Sequence, residues 1–297
     1  MSLVITKKII EDKILNHYGE YQKIFTEFQT TFLSDLYQRY QSLDNGNLAL
    51  HFARQTHHSI LRKKDYDLDF NLSFESFWEN HKNAETNSSS IIAIAEESGL
   101  PKETARRKIS SLIKQKILEK NYKKIFWSPN ETYRKSYNQF INEEIKQISK
   151  LTKFITDKLK LNFSIDDIEY EYKKNFSFYW FHYLGVQLEY MKIWKNQLKD
   201  LELVLIALQL SNMIITKLKE AKLSHKSFFA NPNLIKDYQG ISVSATSISD
   251  VTGIPRATCI RKLNEMNNLK VIKQDKISKR YYIIPGVVTK NFISQET

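Results

Sequence analysis

The chain is poor in residues that break helices. Its 297 residues include 7 Gly and 5 Pro, so long stretches are free to be helical. It has one cysteine, Cys259, which excludes an internal disulfide and a cysteine-cluster metal site and fits a reducing compartment. Long apolar runs are also missing. The most apolar stretch, Leu201 to Ile215, contains Glu, Gln, Ser and Asn and falls short of the ~20 residues a membrane span needs. It reads as a buried helix. The N-terminal MSLVITKKIIEDK has too short an apolar run for a signal peptide. A soluble, cytoplasmic protein is expected. No Gly-rich phosphate loop, Ser/His/Asp grouping or pair of catalytic carboxylates stands out. The chain therefore reads as a non-enzyme with no cofactor and no metal.

At roughly 150 residues per domain the length suggests two domains. Hydrophobic residues make up 41% and aromatics 12%, enough for a core in each half. The net charge is +12, and it is unevenly placed. Residues 101–130 hold nine basic residues against two acidic ones, and residues 255–290 hold the same numbers. The rest of the chain is slightly acidic. Two clustered basic patches are the electrostatic footprint of a polyanion, most often nucleic acid.

Those patches coincide with a repeat. GLPKETARRKI (Gly99–Ile109) and GIPRATCIRKL (Gly253–Leu263) lie 154 positions apart. Gly, Pro, Thr, Arg and Lys recur in place, with Leu/Ile and Lys/Arg exchanges between them. Two weaker matches precede them in the same order: YQKIF (Tyr21–Phe25) with YMKIW (Tyr190–Trp194), and LSFESFW (Leu72–Trp78) with LSHKSFF (Leu223–Phe229). Their offsets of 169 and 151 differ from 154 by modest insertions. An internal duplication is read from this order. It predicts domains over residues 1–130 and 166–297, with residues 131–165 as a connecting helix.

Within each unit the periodicity is helical. Tyr21, Ile24, Phe25, Phe28, Phe32 and Leu36 form one amphipathic face, and 176–198 and 201–218 read as the matching helices. Residues 83–90 form a polar loop. Tyr137, Ile141, Ile145, Ile148, Leu151, Ile155 and Leu159 make a stripe along a long helix over 132–161. That helix could pack across both halves or against a second copy, so a homodimer through it or the helical regions is a possible partner arrangement.

The repeated motif divides into parts. Ile91–Ser98 makes a short helix that Gly99 ends. Pro101 opens the next helix as its first residue. Ala105, Ile109, Leu112 and Ile113 then face inward, leaving Lys102, Thr104, Arg106, Arg107 and Lys108 mainly outward. In the second copy Cys259, Leu263 and Met266 face inward, with Arg256, Thr258, Arg261 and Lys262 outward. A short strand, a basic turn and another strand follow each helix, over 117–129 and 271–285, the second two residues longer.

This combination resembles the winged helix-turn-helix family of DNA-binding domains, over about 90–129 and 244–285. The resemblance implies a mainly α fold with short β-hairpin wings, the duplicated helical plus winged-helix units being joined by a long helix. It also implies that the second helix of each pair enters the major groove of double-stranded DNA while the wing touches backbone or minor groove. Lys102, Thr104, Arg106, Arg107 and Lys108 would then contact DNA in the first half, and Arg256, Thr258, Arg261 and Lys262 in the second. Lys123, Lys124, Lys276, Lys279 and Arg280 would be wing contacts. Arginine is the usual bidentate reader of guanine, whereas lysine mostly neutralises phosphate. Arg106 is replaced by Ile260, so the halves are not expected to read identical half-sites. Tethered modules reading one face of a duplex would sit near one helical turn apart, about 34 Å.

Cys259 matches Ala105 and reads as a small buried thiol. His51, His57 and His58 read as structural or solvated, and the aromatic run 176–185 reads as core. The leading function is a sequence-specific transcriptional regulator acting as an intramolecular pseudo-dimer. A plasmid or phage replication initiator and a protein-interaction scaffold with degenerate motifs are the alternatives. The richness in Lys, Asn, Ile, Tyr and Phe hints at an AT-rich bacterial or viral genome.

Overall fold

The computed structural model describes residues 5–82, 91–122, 124–220 and 241–283. It is mainly helical, with two antiparallel two-stranded hairpins. In chain order the described elements are α1 (Lys7–Asn16), α2 (Tyr18–Tyr40), α3 (Leu43–Lys64), α4 (Phe77–Lys82), α5 (Ile91–Ser98), α6 (Lys102–Lys114), β1 (Leu118–Asn121), β2 (Lys124–Trp127), α7 (Glu131–Lys158), α8 (Ile165–Lys174), α9 (Phe176–Leu198), α10 (Leu201–Glu220), α11 (Ala245–Thr252), α12 (Arg256–Asn268), β3 (Ile272–Gln274) and β4 (Tyr281–Ile283). The polar loop over 83–90, the LSHKSFF match and Lys123 lie outside the described residues.

Two compact units emerge, and their boundaries do not fall at 130 and 165. One is discontinuous, residues 1–38 with 202–297; the other is central, residues 39–201. The segment 131–165, expected as a connector, supplies α7 to the central unit. Its stripe is used there: Tyr137, Ile141 and Ile145 are buried, and the Trp180 indole on α9 donates to the Tyr137 hydroxyl at 3.1 Å. Helix α9, expected to accompany the second motif, also belongs to the central unit.

Aromatic side chains fill the core of the central unit. Trp127 of β2 meets Tyr137 (ring centroids 4.9 Å), Trp78 (5.6 Å) and His81 (5.4 Å). His81 Nε2 donates to the Trp127 carbonyl at 2.8 Å. His57, fully buried on α3, stacks on Phe77 at 4.7 Å and meets Phe176 edge-on at 5.3 Å. The aromatic run at the start of α9 is core along one face only: Phe176, Trp180 and Tyr183 are buried, Tyr179 and Phe181 are half-buried, and Phe178 is exposed. In the discontinuous unit, Phe28, Phe32 and Leu36 of α2 are buried, and Asn212 of α10 donates to the Thr30 hydroxyl at 2.8 Å. Helix α10 is long and apolar enough to cross a membrane by length and composition. It is nevertheless a core helix: Leu203, Val204, Leu205, Ile206, Leu210, Ile214 and Leu218 are all buried.

The two halves of the chain carry matching element lengths. Helices α5 and α11 have 8 residues each, and α6 and α12 have 13 each. Helices α2 and α9 have 23 residues each and end 158 positions apart. Each unit holds one helix of each pair. Gly99, after α5, lies beside Lys195 and Asn196 near the end of α9 in the central unit. Gly253, after α11, lies beside Gln38 near the end of α2 in the discontinuous unit.

Two outcomes are expected. Residues 39–201 expressed alone unfold cooperatively in urea, whereas residues 1–130, which lack α7 and α9, give no cooperative transition. The second outcome concerns pH. Burial pushes His57 down to about 3 and His51 down to about 4, from ~6.5 in the unfolded chain. Both rings stay neutral in the fold and take up protons on unfolding, so stability falls as the pH drops below 6.5. From pH 7 to pH 5 each contributes a loss of about 2 kcal/mol. His57→Leu should remove its share of that loss, read as the pH dependence of the urea midpoint; an unchanged dependence would mean that burial does not shift the titration of His57 on folding.

Candidate nucleic-acid interface

Both repeated motifs fold as two helices, a tight turn and a hairpin. In the first, Gly99 takes φ 68°, and Leu100 N–H donates to the Ala95 carbonyl at 3.0 Å, burying Leu100. In the second, Gly253 takes φ 74°, and Ile254 is buried. A left-handed residue is what closes a helix this way, and glycine adopts it without a Cβ clash. Pro101 and Pro255 do not open the following helices as their first residues. Their ψ angles of 137° and 135° are extended, so they are the caps. Their carbonyls accept from Ala105 N–H at 2.9 Å and Cys259 N–H at 3.0 Å.

The parallel continues past the helices. Lys116 and Lys270, 154 apart, both have left-handed φ, at 57° and 60°. Ile117 N–H and Val271 N–H then donate back to the Leu112 and Met266 carbonyls at 3.0 and 3.1 Å. The hairpins open at Leu118 and Ile272 and close at Trp127 and Ile283. The closing residues are 156 apart, so the second hairpin carries the two extra residues read from the proline spacing. Before α11, Val243 adds a bridge to Tyr281, with N–H···O distances of 2.8 Å in both directions.

The cations divide into two sets. Lys102, Arg106 and Arg107 on α6 and Arg256 and Arg261 on α12 are exposed, with Thr104 and Thr258 half-buried. Lys124, Lys276, Lys279 and Arg280 on the hairpins are exposed too. Lys108 and Lys262 behave differently. Lys108 turns onto the protein, where its ammonium donates to Ser42 Oγ at 3.1 Å and Asn45 Oδ1 at 3.4 Å and lies 3.8 Å from the Asp44 carboxylate. Lys262 is 5% exposed. These two therefore leave the candidate contact face. The reason is periodicity: each lies three residues after a buried position, Ala105 or Cys259, and one before another, Ile109 or Leu263. Ile260, the counterpart of Arg106, is half-buried rather than outward.

Between α6 and its hairpin lies an open groove of about 700 Å³, whose lining includes Thr104, Arg106, Arg107, Ser110, Lys120 and Ile125. The groove gathers Arg107 from the helix with Lys120 from β1. Lys120 was not among the site residues read from the sequence. Strand alternation places it on the same face as buried Leu118, which is the signal that could have found it. Arg106 is held by Glu103 at 2.9 Å in an exposed i,i+3 pair. Such a pair is worth about 0–1 kcal/mol, so a phosphate can displace it. Lys102, Arg107 and Arg261 carry no ion pair among the described residues. The N-cap residues of α6 and α12 are prolines that make no side-chain cap hydrogen bond, so neither offsets the positive end of its helix dipole.

The other singled-out residues are structural. Cys259 is buried, its Sγ donates to the Ile254 carbonyl at 3.4 Å, and burial pushes the thiol up. His51 is buried, with Nδ1 3.2 Å from Glu97; kept neutral by burial, it donates a hydrogen bond there rather than forming an ion pair. His58 stacks on Phe181 at 5.3 Å. Among the described residues no group of three His, Cys, Asp or Glu is placed to hold a metal ion. No protein-family model, curated protein or solved structure matches the chain.

The division of the cations has a direct consequence for stability. Lys108→Met should lower the unfolding free energy by about 1–2 kcal/mol, because Asp44, Ser42 and Asn45 lose a partly buried charged donor. Arg107→Ala should stay within about 0.5 kcal/mol of the parent. Urea denaturation of both variants checks this; equal effects would return Lys108 to the contact face.

Proposed function

We propose that the chain is a sequence-specific double-stranded DNA-binding protein that regulates transcription in the cytoplasm, using two winged helix-turn-helix modules carried in one chain. The observation that carries this reading is the groove beside α6. Exposed Arg106, Arg107 and Lys120 converge there, while Lys108 of the same helix is turned onto the protein beside Asp44. The second module supports it with exposed Arg256 and Arg261 at the matching helix positions and four exposed cations, Lys273, Lys276, Lys279 and Arg280, around its hairpin. The 13-residue helix of each pair would enter the major groove, with its uncapped N-terminus toward the phosphates.

The matching spacings support an internal duplication in which the 23-residue helix of each copy packs with the module of the other. The two modules would then act as an intramolecular pseudo-dimer, with the second contact strengthened by tethering. The differences at Arg106 and Ile260, and in hairpin length, favour two unlike half-sites.

Selection from a random duplex pool at two salt concentrations tests the reading. A steep salt slope with an enriched bipartite sequence is expected. Arg107→Ala or Arg261→Ala should weaken specific binding and relax the preference at one position, costing about 1–3 kcal/mol. Lys124→Ala should weaken all sequences alike and lower the salt slope by about one. The genomic position of the selected site separates a promoter regulator from a plasmid or phage replication initiator. No binding at low salt would overturn DNA binding and leave the modules as a protein-interaction scaffold.

A further inference from the structure

Each hairpin exposes one large apolar side chain at its tip. Tyr122 is 93% exposed and Ile277 is 88% exposed, the highest values among the large hydrophobic residues described. Neither adds to a core, and each sits where a small polar residue would be the ordinary choice. Tyr122 follows the Asn121–Lys124 pair that closes the first hairpin, and its φ is 51°. That left-handed region suits glycine or asparagine; a bulky residue held there is strained by about 1–2 kcal/mol. Ile277 rides on a turn built around Asp275. The Asp275 carboxylate accepts from Ile277 N–H at 3.0 Å, Ser278 N–H at 2.6 Å and Ser278 Oγ at 2.9 Å. Across the base of the turn, Lys279 N–H donates to the Asp275 carbonyl at 3.0 Å. The isoleucine is thus presented on an organised turn.

The surroundings of both tips are basic. Lys120 and Lys124 flank Tyr122; Lys276, Lys279 and Arg280 flank Ile277. Such a tip is repelled by another basic surface and drawn to phosphates. Once there, its apolar end needs an apolar surface, and in a duplex that surface lies between stacked base pairs. With the long helix in the major groove, the neighbouring minor groove is the one the hairpin reaches. Apolar wedges pressed into a base step from that side partly unstack it and kink the duplex. We propose that Tyr122 and Ile277 are such wedges, one per module, and that each unstacks and bends the site its module reads. This rests on the duplex-binding reading above.

The test uses the full chain and an AT-rich duplex of about 30 base pairs, with 2-aminopurine at TA steps and a dye pair at its ends, because pyrimidine–purine steps unstack most easily. The parent protein is expected to raise 2-aminopurine fluorescence several-fold and to shorten the end-to-end distance. Tyr122→Ser with Ile277→Ser should bind about ten-fold more weakly with the same salt slope, and both signals should be absent at saturation. Because both side chains lie outside the core, the urea midpoint should be unchanged, which separates a lost wedge from a lost fold. Saturation of the duplex by the parent without either signal, or equal signals from the double variant, would overturn the wedge and leave duplex binding standing. Tighter binding to the single-stranded oligonucleotide would also overturn it, making Tyr122 a stacking platform instead. Absence of any salt-sensitive binding would overturn both readings together.

Discussion

The surface that the first module turns to solvent is fixed by one carboxylate. Asp44 lies in the first turn of α3, where the helix dipole favours a negative charge. It takes Lys195 of α9 at 2.8 Å and Lys108 of α6 at 3.8 Å. Three helices are tied at that point, and rotation of α6 about its axis is stopped. With Lys108 held inward, the 100° step of the helix carries Arg107 away from the protein. The same contact turns one positive charge of the helix onto the protein and leaves Lys102 and Arg107 without an ion pair among the described residues. A second tie fixes the hairpin: Trp127 is sunk among Trp78, His81 and Tyr137, so β2 cannot shift its register without moving an indole out of the core.

The sequence made the modules legible because their signals are local. Gly99 and Gly253, the prolines after them, and the three- and four-residue spacing of buried positions act within a dozen residues. Helix α5 falls on Ile91–Ser98 and α9 on Phe176–Leu198, as read. The inward turn of Lys108 and Lys262 was legible too, since positions 105, 108, 109 and 112 fall on one stripe, as do 259, 262, 263 and 266. Charge argued against burial there, and only a partner supplied from residues 42–45 reverses that argument. Long-range organisation was not legible. The match of YQKIF with YMKIW sets α2 and α9 169 apart, whereas their ends are 158 apart. Nothing local to residues 176–198 says which module they pack with.

The core of the central unit shows how residue types common in binding sites can serve as core. It buries many polar tips along with its rings. The Tyr40 and Tyr133 hydroxyls bond to each other, Arg39 lies 4.0 Å over the Phe140 ring, and the Tyr183 hydroxyl donates to the buried Glu144 carboxylate. Burial, reinforced by the adjacent Glu144 charge, pushes the Tyr183 hydroxyl well up. Each such group is tolerated only with a partner, because an unpaired buried polar atom costs about 1–3 kcal/mol. Aromatic, His, Arg and Glu residues close in sequence therefore resemble a ligand pocket. Packed together they are interior, in which ring contacts rather than hydrogen bonds hold His57, whose two nitrogens are buried without a hydrogen-bond partner; the exposed cations lie on other faces.

The modules are alike in backbone and unlike in what they present. Four backbone hydrogen bonds recur 154 positions apart, donated by Ala105, Gln115, Lys116 and Ile117 N–H in one module and by Cys259, Leu269, Lys270 and Val271 N–H in the other, down to the paired left-handed lysines 116 and 270. Such agreement constrains the scaffold and leaves the outer face free to change. On that face an exposed arginine stands opposite a half-buried isoleucine, Arg106 against Ile260. A hairpin closed at Asn121 and Lys124 stands opposite one closed at Gln274 and Tyr281. The longer loop is held by Asp275, a residue with no counterpart in the shorter one, and without that carboxylate Ile277 would have no fixed direction. Under the proposed reading, unlike faces on like scaffolds make the chain directional. A symmetric dimer reads both halves of a palindrome alike, whereas one chain with two dissimilar modules can bind an asymmetric site in a single orientation. Such a protein marks on the duplex not only a place but a direction, and a directional process started from that site needs both.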